Sequence, residues 1–298
     1  MSSAPSAVSR RVPYVFALPA VAVMLAGLFY PVLETLRLSF YEVRLGEGPT
    51  PATFRGFGLF LEVLADPSVR SSMATTLQFA FLVVTVELII GIGLALLLER
   101  RVFGMSVLRT IFVLPMMIAP ICVGLIWRYM FDANAGPINA WLSITGWKPA
   151  WLADSGLAFF AVCVTDVWQF TPFVFIMALA GLQGLDQSSV EAAHVDGASA
   201  WQIIWHVKLP LLMPILMITL LMRLIDALRG LEVVYAMTNG GPGLSTELFP
   251  LHIYKSAFVT QRMGHSAALS VCLLIVTTLL SAALLLRNNP MRRSTGAA

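Results

Sequence analysis

Charge is scarce in this chain. Asp, Glu, Lys and Arg make up 12% of its 298 residues, where soluble domains carry about a quarter, and that shortage excludes an ordinary water-soluble fold. Cysteine is rarer still. The three present, Cys122, Cys163 and Cys272, all fall inside apolar runs, so they offer neither a disulfide framework nor metal-ligand spacing and read as small apolar side chains. There is no Gly-Lys dipeptide and hence no phosphate-cradling loop, which excludes ATP hydrolysis by that route. His-Glu-x-x-His and Gly-x-Ser-x-Gly patterns are missing as well, and the four histidines do not cluster. The net charge of +3 comes from residues flanking apolar segments and gives no reason to expect a nucleic-acid partner.

What is present is apolar length. Hydrophobic residues reach 58% and mean hydropathy is +0.83, the signature of a polytopic membrane protein. A span needs about 20 apolar residues, and lipid offers no partner for free backbone groups, so each span must be helical. Six segments qualify, giving an all-α fold: 14–36, 72–98, 107–131, 157–181, 210–236 and 266–287. The apolar run after Arg10-Arg11 continues to Leu36, too long for the core of a cleavable signal, so a retained first span is expected after a tail of residues 1–13. Residues 37–71, with Gly46, Gly48, Pro49, Pro51, Gly56 and Gly58, read as an irregular extracytoplasmic connection. The block 72–287 holds the other five spans, and 288–298 form a C-terminal tail. Arg10, Arg11, Arg100, Arg101, Arg109, Lys208, Arg287, Arg292 and Arg293 outnumber Arg44, Arg55, Arg70, Lys148, Lys255 and Arg262 on the opposite side. That bias places both termini in the cytoplasm.

The connection at 182–209 is polar and patterned. Glu191-Ala192-Ala193-His194-Val195-Asp196-Gly197 is followed after nine residues by Val207-Lys208-Leu209-Pro210. Ser188 or Ser189 is expected to cap a first short helix, and Gly197 to supply the positive φ that ends it. Trp201, Ile204, Trp205 and Lys208 recur at helical spacing, marking a second helix expected to stop before Pro210. His194 and His206 on this loop read as solvated or packed against a partner. At these residues the chain resembles the cytoplasmic coupling loop of ABC importer permeases, with Val207 where the family pattern has Ile. Beyond the fifth span, Met237-Thr238-Asn239-Gly240-Gly241-Pro242-Gly243-Leu244-Ser245-Thr246, then Ile253-Tyr254 and Ala257-Phe258, is similar to an outer loop of carbohydrate permeases of the maltose type.

The resemblance implies a type I ABC importer permease fold in a bacterial cytoplasmic (inner) membrane. It also implies a second related permease as heterodimer partner, two ATPase subunits, and an extracytoplasmic binding protein that delivers a sugar or sugar derivative. ATP and Mg would be held by the ATPase partner, with no cofactor in this chain and no enzyme activity of its own. Glu191, Ala192, Ala193, Gly197, Leu209 and Pro210 would carry the coupling to the ATPase.

Polar groups inside the spans are the remaining candidates, because charge at membrane depth is costly and turns to a bundle interior or water-filled cavity. Span five sets Arg223, Asp226, Arg229 and Glu232 three residues apart. Either they contact solute or they neutralise one another as a structural ladder. Span four sets Asp166, Trp168 and Gln169 together before Thr171-Pro172, where a kink is expected; an aromatic beside hydrogen-bonding groups suits a sugar. The stretch Val167 to Phe173 also resembles the same span of carbohydrate permeases. Asn239 joins these as a solute-path candidate, while Glu87 and Arg128, the latter flanked by Trp127 and Tyr129, read as structural partners or interfacial anchors. A self-powered secondary transporter, with the intramembrane charges as an ion relay, is the alternative function; an intramembrane enzyme is the third class, disfavoured by the missing catalytic patterns.

Overall fold

A computed structural model describes residues 12–46, 52–99 and 104–287. Arg10, Arg11, Arg100, Arg101, Arg292 and Arg293, Gly48, Pro49 and Pro51, and the tail 288–298 lie outside these described residues. The chain divides into two compact units, one formed by Met1–Ala65 with Ile253–Cys272, the other by Asp66–His252 with Leu273–Ala298.

In the first unit, α1 (Val12–Leu38) is a long apolar helix, and none of its most apolar stretch is buried. Residues expected to be irregular then build a small ordered cap. Strands β1 (Tyr41–Glu42) and β2 (Thr53–Phe54) pair antiparallel, and α2 (Gly58–Ala65) follows. Leu45 N–H donates to Gln261 O at 2.9 Å and Arg262 Nη2 to Glu62 at 2.6 Å. Gly264 is required here, since a Cβ would stand 1.9 Å from Tyr41 O.

The first helix of the second unit begins five residues earlier than the sequence suggests. The Asp66 side chain accepts from Ser68 N–H and caps α3 (Pro67–Leu97), whose Pro67 sits in the first turn, where its missing N–H costs nothing. The segment expected as one span over 107–131 is instead two helices, α4 (Met105–Met117) and α5 (Pro120–Met130), bent by 100°. Pro120 is the cause. It disfavours helical backbone in the residue before it, and both Ile118 (ψ 136°) and Ala119 (ψ 132°) are extended. After α6 (Pro137–Leu142), α7 (Ser155–Gln183) starts at the Asp154 cap and contains Pro172 within a single helix. The chain continues through α8 (Gln187–Val195), α9 (Ala200–Ile203), α10 (Leu209–Arg229) and α11 (Glu232–Met237). Then come α12 (Phe249–Tyr254) and α13 (Met263–Arg287). By length and composition five of the described helices suit a membrane span, six if the bent pair is one.

Small residues let the central helices of this unit approach. A Cβ on Gly91 of α3 would lie 2.7 Å from Val174 of α7, and one on Gly181 of α7 would lie 2.7 Å from Leu212 of α10. Around these contacts Ala95, Phe175, Ala178, Leu179, Leu182, Leu212 and Leu216 form a buried apolar cluster.

Candidate coupling loop and buried charge cluster

The loop between α7 and α10 folds as two short helices around a glycine. Asp186, not Ser188 or Ser189, is the cap of α8: its carboxylate accepts from Ser188 N–H and from the Ser188 hydroxyl, and those bonds hold the carboxyl below its usual range. An acidic cap accepts charge-assisted hydrogen bonds at the positive end of the helix, which a serine hydroxyl does less well. Gly197 has φ +77°, and Ala198 N–H reaches back to Ala193 O at 3.0 Å, closing the end of α8. A Cβ on Gly197 would meet nothing within 4 Å, so conformation and not space demands glycine there. Ser199 and Gln202 then cap α9 reciprocally, Ser199 N–H donating to Gln202 Oε1 at 2.8 Å. Its Ser-x-x-Gln spacing is a signal that the sequence itself carries.

Pro210 does not end the second helix. Residues Ile204–Lys208 widen into a π turn in which Leu209 N–H bonds Ile204 O, and α10 continues from there. The wider turn accommodates a proline ring that would crowd the carbonyl four residues back. The helical path therefore runs from Ala200 to Arg229. Glu191, Ala192, Gly197, Trp201, Trp205 and Pro210 are exposed, while Ala193 and Leu209 are half-buried. The Trp201 and Trp205 rings meet at a tilt on the outside, with centroids 6.3 Å apart. Lys208 pairs with Glu99 at the end of α3, anchoring the base of the loop.

Higher on the same helix lies the largest fully buried side chain, and it is charged. Arg223 is 1% exposed. Its Nε and Nη2 donate to the two Glu87 oxygens on α3 at 2.7 and 2.8 Å, and Nη2 donates also to Asp166 Oδ2 on α7 at 3.0 Å. The guanidinium lies over the Phe170 ring at 4.1 Å. Glu87, expected as a structural partner, is that partner. Asp166, expected beside solute, is an internal counterion, and its neighbour Gln169 is buried with Nε2 donating to Ile118 O, the carbonyl freed at the α4–α5 break. The pair shares a face as anticipated, but that face is turned to protein.

Of the two alternatives for the span-five charges, the structural ladder is formed only at its first rung. Asp226 Oδ2 lies 3.8 Å from Arg223 Nη1, yet Asp226 is 62% exposed at its side chain. Arg229 ends α10 and Glu232 begins α11, so the break at Gly230 separates the last two rungs, both exposed. Trp168 is half-exposed and meets Trp127 edge-on at 5.5 Å. Asn239 is exposed with φ +49°, in a turn closed by Thr246 Oγ1 donating to Gly241 O at 2.8 Å. Arg128 donates to Ala236 O at 3.5 Å and, with Asp132 and Thr238, lines a cleft of about 360 Å³. Ala135 and Asn134 N–H groups hold the Asp132 carboxyl below its usual range.

A match to the binding-protein-dependent transport system inner membrane component family spans residues 87–292, from the carboxylate that holds Arg223 to beyond the end of α13. The chain belongs to that family. This inner membrane component is 37% identical to the trehalose/maltose transport system permease protein MalF of Thermococcus litoralis, over 79% of its own length and 80% of the relative's. It is 31% identical to the sulfoquinovosyl glycerol transport system permease protein SmoG of Agrobacterium fabrum, over 89% and 86%. Its fold is similar to that of a chain in a bacterial alginate ABC transporter complexed with an alginate pentasaccharide-bound periplasmic protein, with TM-score 0.82, 20% identity, and coverage of 95% and 96%.

Proposed function

We propose that this inner membrane component is one of two related permease subunits of an ATP-driven importer for a sugar or sugar derivative. The observation that carries the reading is mechanical. An exposed helix, a left-handed glycine and a second helix lead without interruption into α10, which ends its lever at Arg223 among three packed helices. A partner gripping Glu191 to Pro210 would tilt α10 and displace α3 and α7 with it. The exposed pair Trp201 and Trp205, beside the acidic and small residues of α8, suits such a partner surface. ATP and Mg belong to two partner ATPase subunits, and both termini lie on their side of the membrane. The printed names of the relatives, trehalose/maltose and sulfoquinovosyl glycerol systems, support a carbohydrate class of solute. The charges buried among the helices, where an ion relay would run, are engaged with one another: Arg223 with Glu87 and Asp166. That weighs against a self-powered secondary transporter.

On the solute side, Trp168, Asp226, Arg229, Glu232 and Asn239 are the exposed groups among those singled out in the sequence, and we assign the path to them before Asp166 and Gln169. The test is ATP hydrolysis by the complex purified with its ATPase and second permease, reconstituted in lipid, with binding protein loaded from a panel of sugars. Stimulation by one loaded binding protein, and its loss in Gly197→Val with the complex still assembled, is the expected outcome. Unchanged stimulation in Gly197→Val refutes the coupling role. Solute movement down an ion gradient by the chain alone refutes the importer.

A further inference from the structure

Helix α2 is apolar on two opposite faces. Leu59 and Val63 are buried in the first unit. On the other side Phe57, which directly precedes the helix, is followed at helical spacing by Leu61 and Leu64, and these are 72%, 68% and 64% exposed. Phe54 extends the patch from β2 at 66%. The helix has one charged side chain, Glu62, and it is bonded to Arg262 Nη2 at 2.6 Å. No charge therefore interrupts the outer face, which is the composition of a surface that water does not wet.

The depth of this face follows from its tether. Phe40 stands two residues beyond α1 and packs against Phe57 and Phe60 at centroid distances of 5.5 and 5.6 Å, tying α2 to the end of that span. The apolar stretch Phe16–Leu38 has 23 residues and rises about 35 Å, just enough to cross a hydrocarbon core of about 30 Å. Leu38 thus sits at the hydrocarbon boundary and the Phe40–Phe57–Phe60 cluster at the headgroup level. In sequence, Asp66 alone separates α2 from the next membrane-length helix.

We propose that α2 is an interfacial helix whose Phe57, Leu61 and Leu64 face inserts into the acyl–headgroup boundary of the leaflet at which α1 ends. Lipid is the occupant because Phe40 ties this face to the end of α1, whose apolar stretch is itself unburied, and because Phe57, Leu61 and Leu64 carry no hydrogen-bonding side-chain group with which to select a protein. Aromatic side chains at this depth are favoured, and Phe54 and Phe57 supply them. The consequence is an anchor that holds the connection after α1 flat on the membrane.

The experiment places nitroxides one at a time at Leu61→Cys and Leu64→Cys in a chain with Cys122, Cys163 and Cys272 changed to Ala, within the reconstituted complex. Leu28→Cys on α1 serves as the lipid reference and Lys148→Cys, exposed in the loop after α6, as the aqueous one. Collision with oxygen is expected to exceed collision with a nickel chelate at both α2 sites, at a depth between the two references. Nickel collision equal to that at Lys148→Cys would mean that the face is in water and overturn the proposal. Low collision with both reagents would mean a protein covers it, which overturns it equally. Retained assembly of each labelled complex shows that the reading comes from folded protein.

Discussion

Replacing Arg223 with Met should destabilise the protein far more than removing three hydrogen bonds suggests. The guanidinium is 1% exposed and is the counterion of two buried carboxylates, Glu87 and Asp166, at 2.7 to 3.0 Å. Interhelical hydrogen bonds between neutral groups in a membrane average about 0.6 kcal/mol, so three such bonds account for roughly 2 kcal/mol. Removing one partner of a buried ion pair costs about 3–5 kcal/mol, because the remaining charge stays buried without compensation. Here two charges stay behind, so Arg223→Met is expected at or above the upper end of that range. Glu87→Gln keeps an acceptor for the guanidinium and leaves Asp166 as counterion; its expected cost is about 1–3 kcal/mol. The triple variant Glu87→Leu, Asp166→Leu, Arg223→Met removes the desolvation problem with the charges, and its stability should return to within about 1–2 kcal/mol of the native chain. The assay is thermal loss of the assembled, lipid-reconstituted complex, followed by size-exclusion chromatography. Native-like stability of Arg223→Met alone, or equal damage in the single and triple variants, would refute the view that uncompensated charge is what the cluster guards against.

Two further outcomes are expected. In α3, Gly91→Leu should destabilise the complex by about 1–3 kcal/mol through overpacking against Val174, whereas Gly93→Ala, with nothing within 4 Å of its Cβ, should leave thermal stability unchanged or raise it by up to about 1 kcal/mol. Asp186→Ala should weaken co-purification with the ATPase while Asp186→Ser preserves it. The lowered carboxyl of Asp186 means the cap is intact above the ordinary carboxylate range and is lost as pH falls through its depressed value. Binding should therefore show no dependence on this residue between roughly pH 6 and 8.

The amino-acid sequence alone determined the class of this protein, because membrane insertion depends on local apolar length and on lipid's refusal of free backbone groups. It also placed the two-helix loop between α7 and α10, where Gly197 and the helical spacing of Trp201 and Trp205 are short-range signals, and it holds the Ser199–Gln202 cap as a local pattern. The break at Pro120 was legible in principle too, since proline restricts the residue before it; a hydropathy window averages over two residues of extended backbone and sees one span. Pairing is different in kind. Arg223 meets Glu87 across 136 positions and Asp166 across 57, and no local pattern says which of several intramembrane charges will find one another. Tertiary structure decided that, giving Asp166 and Gln169 internal partners and leaving Asp226 exposed. It decided the outer face of α2 as well: Leu59 and Leu61 look alike in the sequence, and packing of one against its own unit is what sends the other outward.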